Sequence, residues 1–104
     1  MKTFNDLKFE IRPIDPAVYM DAIKHYPTPW KVDYGIWSNI IFDNGYGARV
    51  AKGPQTIGGP DGLYEISVLD SSGTVLSTSS VMTGSVGNLD EAGVTDYMNR
   101  IQSI

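Results

Sequence analysis

YGIWSNIIFDNGYGARVAKG, residues 34–53, reads as two β-runs joined by a turn. Tyr34 to Phe42 is rich in β-branched and aromatic side chains, which suit a pleated, half-buried surface. Asn44-Gly45 between two such runs is the strongest short-range hairpin signal, because both central residues of a type I′ turn need positive φ. Counting outward from that pair sets Ile41 opposite Ala48 and Asn39 opposite Val50. Trp37 and Ile41 then share one face, and Ile36, Ile40 and Phe42 share the other. Apolar residues on both faces predict a strand inside the sheet, covered on both sides.

Toward the C-terminus, Gly53 to Gly62 holds four glycines and two prolines in ten residues and reads as a loop. Leu63 to Leu69 is a strand with Tyr64, Ile66 and Val68 on one face. Asp70-Ser71-Ser72-Gly73 has Asp first and Gly fourth, which suits a type I turn closing a second hairpin. Thr74 to Thr78 is then the returning edge strand. Nine of the fifteen residues from Ser71 to Ser85 are Ser or Thr, a wet surface that discourages edge-to-edge pairing. The last element is a helix with Asp90 as N-cap and Leu89 and Val94 as a hydrophobic staple. Val94, Tyr97, Met98 and Ile101 fall on one face at i, i+3, i+4, i+7. Gly93 in its first turn costs about 1 kcal/mol against Ala, so this helix depends on packing.

Toward the N-terminus, Leu7 to Arg12 alternates apolar and charged residues and reads as a half-buried strand ended by Pro13. Asp15 can cap a short helix with Pro16 at its first position and Tyr19, Ala22, Ile23 and Tyr26 at helical spacing. Pro27 and Pro29 stop it. The fold class is therefore α+β in a single domain, residues 1–104. It is an antiparallel sheet of about four to five strands with two hairpins, a short inserted N-terminal helix and a C-terminal amphipathic helix.

A chain of 104 residues has room for one core. It contains no cysteine, which excludes a disulfide scaffold and a thiolate zinc site. No apolar run approaches the ~20 residues that span a bilayer, and Met1–Phe9 lacks the apolar segment of a signal peptide. A soluble, cytoplasmic protein with no membrane contact is expected. The formal net charge of −4 is asymmetric. Residues 1–60 carry seven Lys/Arg and six Asp/Glu, whereas residues 61–104 carry Arg100 alone against six carboxylates. Direct nucleic-acid binding is disfavoured, since a phosphate backbone needs clustered Lys/Arg.

Residues that carry chemistry are sparse. His25, the only histidine, falls near the end of the first helix, where a cation is favoured at the C-terminus. Gly45, Gly47 and the Gly53–Gly62 loop form no phosphate-loop pattern, although Arg49 and Lys52 are candidate ligand-binding residues beside that loop. Asp43, Asp61 and Asp70 each sit near a turn glycine, as turn chemistry expects. No catalytic residue, metal ligand or cofactor site is assigned, so the chain does not read as an enzyme. Trp30, Tyr34 and Trp37 cluster within eight residues, and Trp and Tyr dominate interface hot spots. Together with Asp90 and Glu91 at the acidic helix start, they are the candidate partner-binding residues.

From Asn44 onward the chain resembles a family of short proteins of unknown function that recur in bacteriophage genomes and prophages. The resemblance lies in Asn44-Gly45-Tyr46-Gly47, Val50, Gly53, Gly62-Leu63-Tyr64-Glu65 and Val68-Leu69. It continues through Thr83, Gly87, Leu89, Glu91 and Val94 and covers about sixty residues. The front departs from it, since Pro13 to Tyr34 inserts a helix and a Pro/Trp segment. The resemblance implies a phage accessory gene and brings no catalytic residue. The leading expectation is a protein that binds a host or phage protein, as an inhibitor of host defence (anti-CRISPR-like) or of a host enzyme. Two alternatives stand beside it. One is a small-ligand or nucleotide-binding domain using the Gly53–Gly62 loop; the other is a self-assembling component that forms a homodimer through a sheet edge.

Overall fold

The computed structural model describes residues 1–11, 35–53 and 56–104. The expected first helix, His25, Trp30 and Tyr34 lie outside the described residues. Five strands form one antiparallel sheet in sequence order: β1 (Glu10–Ile11), β2 (Ile36–Ile41), β3 (Gly47–Lys52), β4 (Tyr64–Leu69) and β5 (Val86–Leu89). One helix, α1 (Glu91–Gln102), follows and packs against β3 and β4. The α+β class expected from the sequence is the observed one.

Strand alternation explains the layers. The even-numbered residues of β2, β3 and β4 point toward α1. Ala48, Val50, Ile66 and Val68 are fully buried there, beside Phe42 just beyond β2. They meet Val94, Met98 and Ile101 of α1, all three with no exposed surface. Asp90 caps this helix as expected, its Oδ1 accepting from the Gly93 amide at 2.7 Å. A methyl group at position 93 would lie 3.2 Å from both that oxygen and Leu89 Cδ2, a tight fit that glycine avoids beside the cap. Phe4, Phe9 and Tyr64 close one end of the core as three mutually packed rings with centroids 5.1–5.7 Å apart. Met82, with Leu76 and Val81, packs against the core from the excursion between β4 and β5.

The first hairpin differs from its expected form. Gly45 N–H donates to the Phe42 carbonyl at 3.1 Å, and Phe42 N–H donates to Tyr46 at 2.7 Å. The loop therefore has three residues, Asp43-Asn44-Gly45. Gly45 is in the left-handed region at φ 89°, while Asn44 is not. That is a type I turn followed by a bulge glycine, not a type I′ turn. One extra loop residue moves the register by one: Ile41 faces Gly47, and Asn39 faces Arg49. The second hairpin repeats the geometry, with Gly73 N–H bonded to Asp70 and Asp70 N–H bonded to Thr74.

Two further expectations are corrected. Thr74–Thr78 is not a full strand; only Val75 bridges to Leu69, and the partner of β4 is β5. The reason is lateral support: Val75 and Leu76 are the only large apolar side chains in that run, too few to hold a second long ladder. β2 is interior in the strand order, but among the described residues the cover on the face away from α1 is partial: Trp37 is half-buried, whereas Asn39 and Ile41 are exposed. That face mixes charged and hydroxyl side chains with Trp37, Ile41, Leu69 and Val75, of which Leu69 is fully buried.

Candidate functional site

The face opposite α1 is built from the odd-numbered residues of β2, β3 and β4. Directly opposed residues in an antiparallel pair share a face. Three rows therefore cross the sheet. Glu10, Trp37, Ala51 and Glu65 make the first, Asn39, Arg49 and Ser67 the second, and Ile41, Gly47, Leu69 and Val75 the third.

Arg49 links the first two rows. Its Cζ lies 4.6 Å from the Trp37 ring centroid, and its Nε donates to Asn39 Oδ1 at 2.7 Å. A guanidinium held over an indole and oriented by an amide is pre-organised, because little rotamer freedom is left to lose on contact with a partner. Next to it the Ser67 and Ser85 hydroxyls are 2.6 Å apart. A cleft of about 180 Å³ lies between Arg49, Glu65 and that hydroxyl pair. Glu65 Oε2 accepts the Ile57 amide at 3.2 Å, which ties the Gly53–Gly62 loop to the sheet. A second cleft of about 310 Å³ runs beside β2 where β1 begins, lined by Lys8, Glu10, Trp37 and Asn39 among others. At the far end of the face, Ile41 and Val75 are exposed and flank the buried Leu69.

The remaining candidates are dispersed. Lys52 lies on the opposite face from Arg49, with its Nζ 5.0 Å from the Tyr64 ring centroid. Three residues apart on one strand, Arg49 and Lys52 cannot converge on one ligand. In the Gly53–Gly62 loop, Thr56 Oγ1 accepts the Gly53 amide at 3.0 Å and donates to the Gly53 carbonyl at 2.9 Å. Asp90 and Glu91 sit at the start of α1, where Asp90 serves the helix cap. Trp37 is the one member of the tryptophan–tyrosine cluster within the described residues.

Sequence reasoning missed Asn39 and the paired serines. Their signal was available only through the register, which places Asn39 directly opposite Arg49.

Among the described residues the outstanding group electrostatically is Asp70, at the second turn. Hydrogen bonds from the Ser72 hydroxyl and then from the Thr74 amide hold its carboxyl below the usual aspartate value. Its partners are all local, so it serves the turn. Among the described residues no three His, Asp or Glu side chains gather as a metal site, and no buried side-chain polar atom lacks a hydrogen-bond partner. No described helix is long and apolar enough to cross a membrane. Comparison with family models, curated proteins and solved structures gives no significant match.

Proposed function

We propose that this chain is a non-enzymatic, phage-encoded accessory protein that acts by binding another protein, as an inhibitor of a host enzyme or of host defence. The observation that supports the binding role is the Trp37–Arg49–Asn39 cluster on the sheet face opposite α1. Trp and Arg carry a disproportionate share of binding energy at protein interfaces, and a guanidinium already oriented costs less to immobilise. The exposed Ile41 and Val75 extend the same face with apolar contact area. Phage origin rests on the motif resemblance from Asn44 to Val94. The acidic C-terminal half favours a partner with a basic surface, since complementary charge speeds encounter and rejects wrong partners.

Affinity capture from a host lysate tests this reading. The wild-type chain and a Trp37→Ala, Arg49→Ala variant with an unchanged circular dichroism spectrum are used side by side. A protein retained by the first and lost by the second is the expected result. Equal capture by both, or no specific capture, counts against the reading.

A further inference from the structure

Asn44-Gly45 is the only Asn-Gly pair in the chain, and its surroundings give it a second property. Both polar atoms of the Asn44 side chain are engaged. Nδ2 donates to the Ile101 carbonyl at 2.9 Å, and Oδ1 accepts the Tyr46 amide at 3.1 Å. The Gly45 amide is itself bonded to the Phe42 carbonyl at 3.1 Å. Ile101 is a fully buried residue in the last turn of α1. One side chain thus ties the first hairpin to the end of the helix, 57 residues away in sequence. Beside it, a solvent-open cleft of about 500 Å³ is lined by Asp43, Asn44 and Gln102 among others.

Asn-Gly is chemically labile because glycine leaves the following amide nitrogen unhindered. That nitrogen, once deprotonated, attacks the asparagine Cγ. The new N–Cγ bond closes a succinimide, and the side-chain nitrogen leaves as ammonia. Water then opens the ring at either carbonyl, giving aspartate or isoaspartate; one water is consumed and one ammonia released. In this fold the attacking nitrogen donates its proton to Phe42, and Cγ is held by hydrogen bonds at both of its substituents. The reaction therefore requires the Asn44–Ile101 tie to the helix end to break and the turn to open first.

We propose that Asn44 is a fold-gated deamidation site, and that its conversion severs the tie between the first hairpin and the end of α1. The product has no Nδ2 donor. It places a carboxylate against the Ile101 carbonyl at the negative end of the helix dipole, where an anion is repelled. Isoaspartate also adds a backbone methylene inside a three-residue loop that sets the sheet register. The change is irreversible, and the cleft supplies water access to the side chain. Gating makes the step slow while the helix is docked and fast once it lifts.

The test incubates the full chain at mildly alkaline pH, native and in concentrated urea, and quantifies products at position 44 by peptide mapping. Deamidation in the native protein is expected to be slower by about tenfold or more, the protection given by even a modest opening equilibrium. A Met98→Ala variant, with its helix less firmly packed, is expected to react faster than wild type under native conditions. Asn44→Asp, a mimic of one product, is expected to lower the urea midpoint. Equal rates in the native and unfolded chains overturn the gating. An Asn44→Asp midpoint equal to wild type overturns the severed tie.

Discussion

The Arg49 guanidinium lies 4.6 Å from the centroid of the Trp37 ring, two residues diagonally across the β2–β3 ladder. Diagonal neighbours on one face lie within reach of long and aromatic side chains. The register decides this contact, because Asn39 stands directly opposite Arg49 and orients it. A double-mutant cycle with Trp37→Ala and Arg49→Ala, read by urea denaturation, is expected to show a coupling of about 0.5–1 kcal/mol. Strict additivity would show that the stacking contributes nothing to stability.

The helix cap gives a second expectation. Asp90→Ala removes the acceptor of the Gly93 amide and should cost about 1 kcal/mol. Asp90→Ser keeps a capping oxygen and should recover most of that loss. Equal destabilisation by both would mean that the carboxylate acts through something other than the cap.

Gly47 is required by close approach. A Cβ there would collide with the Ile40 carbonyl oxygen, and would lie 2.7 Å from Ile41 Cδ1. Gly47→Ala is expected to destabilise by about 1–3 kcal/mol, the range of overpacking in a filled site. Gly62→Ala is a useful contrast, since its Cβ would meet nothing but its φ of 80° disfavours any side chain. The first variant reports contact and the second reports backbone strain.

Removing core volume under α1 should be more costly. Met98 has no exposed surface and packs with the buried sheet residues. Met98→Ala is expected to cost about 2–5 kcal/mol, a large part of the stability of a domain this size. Thermal denaturation followed by circular dichroism measures it.

Asp70 sets a pH dependence. Its carboxyl titrates lower in the folded chain than in the unfolded one, because the Ser72 hydroxyl and the Thr74 amide bond to the carboxylate. A depressed folded value means that the contribution is fully present above the unfolded aspartate pKa. It is lost as pH falls through the folded value. Carbon-detected NMR titration of Asp70 in the native and urea-unfolded chain should give a lower midpoint for the native form. The difference should shrink in Ser72→Ala, Thr74→Pro, which removes the two leading donors and leaves the Ser72 and Gly73 amides.

Much of the architecture was legible in the residue pattern, and each failure has a local cause. The capped C-terminal helix follows from Asp90 and the Val94–Ile101 spacing, because cap chemistry and helical period agree there. At the first hairpin, Asn44-Gly45 invited a two-residue turn. The rule that places glycine fourth in a type I turn, used for Asp70–Gly73, gives the observed loop when applied to Phe42–Gly45. β5 was hidden because Val86-Gly87-Asn88-Leu89 lacks strand composition. Gly87 is there because Ile57 packs where its Cβ would stand, and Asn88 takes a φ of 58° at an irregularity in the ladder. At the site, the period of two already separates Arg49 from Lys52 once both belong to one strand. Pairing Arg49 with Asn39 needed the register, which a single loop residue controls.

The most direct measurement is the affinity of the captured partner for the Trp37→Ala chain, by titration calorimetry beside wild type and Glu91→Ala. A centre of binding at Trp37 is expected to lose about 2 kcal/mol or more on truncation, roughly a thirtyfold rise in Kd. Glu91→Ala, at the start of the helix on the other face, should stay near wild type; a comparable loss there would assign binding to the acidic helix start instead. An unchanged Kd for a folded Trp37→Ala chain would contradict the assignment of the sheet face as the binding surface.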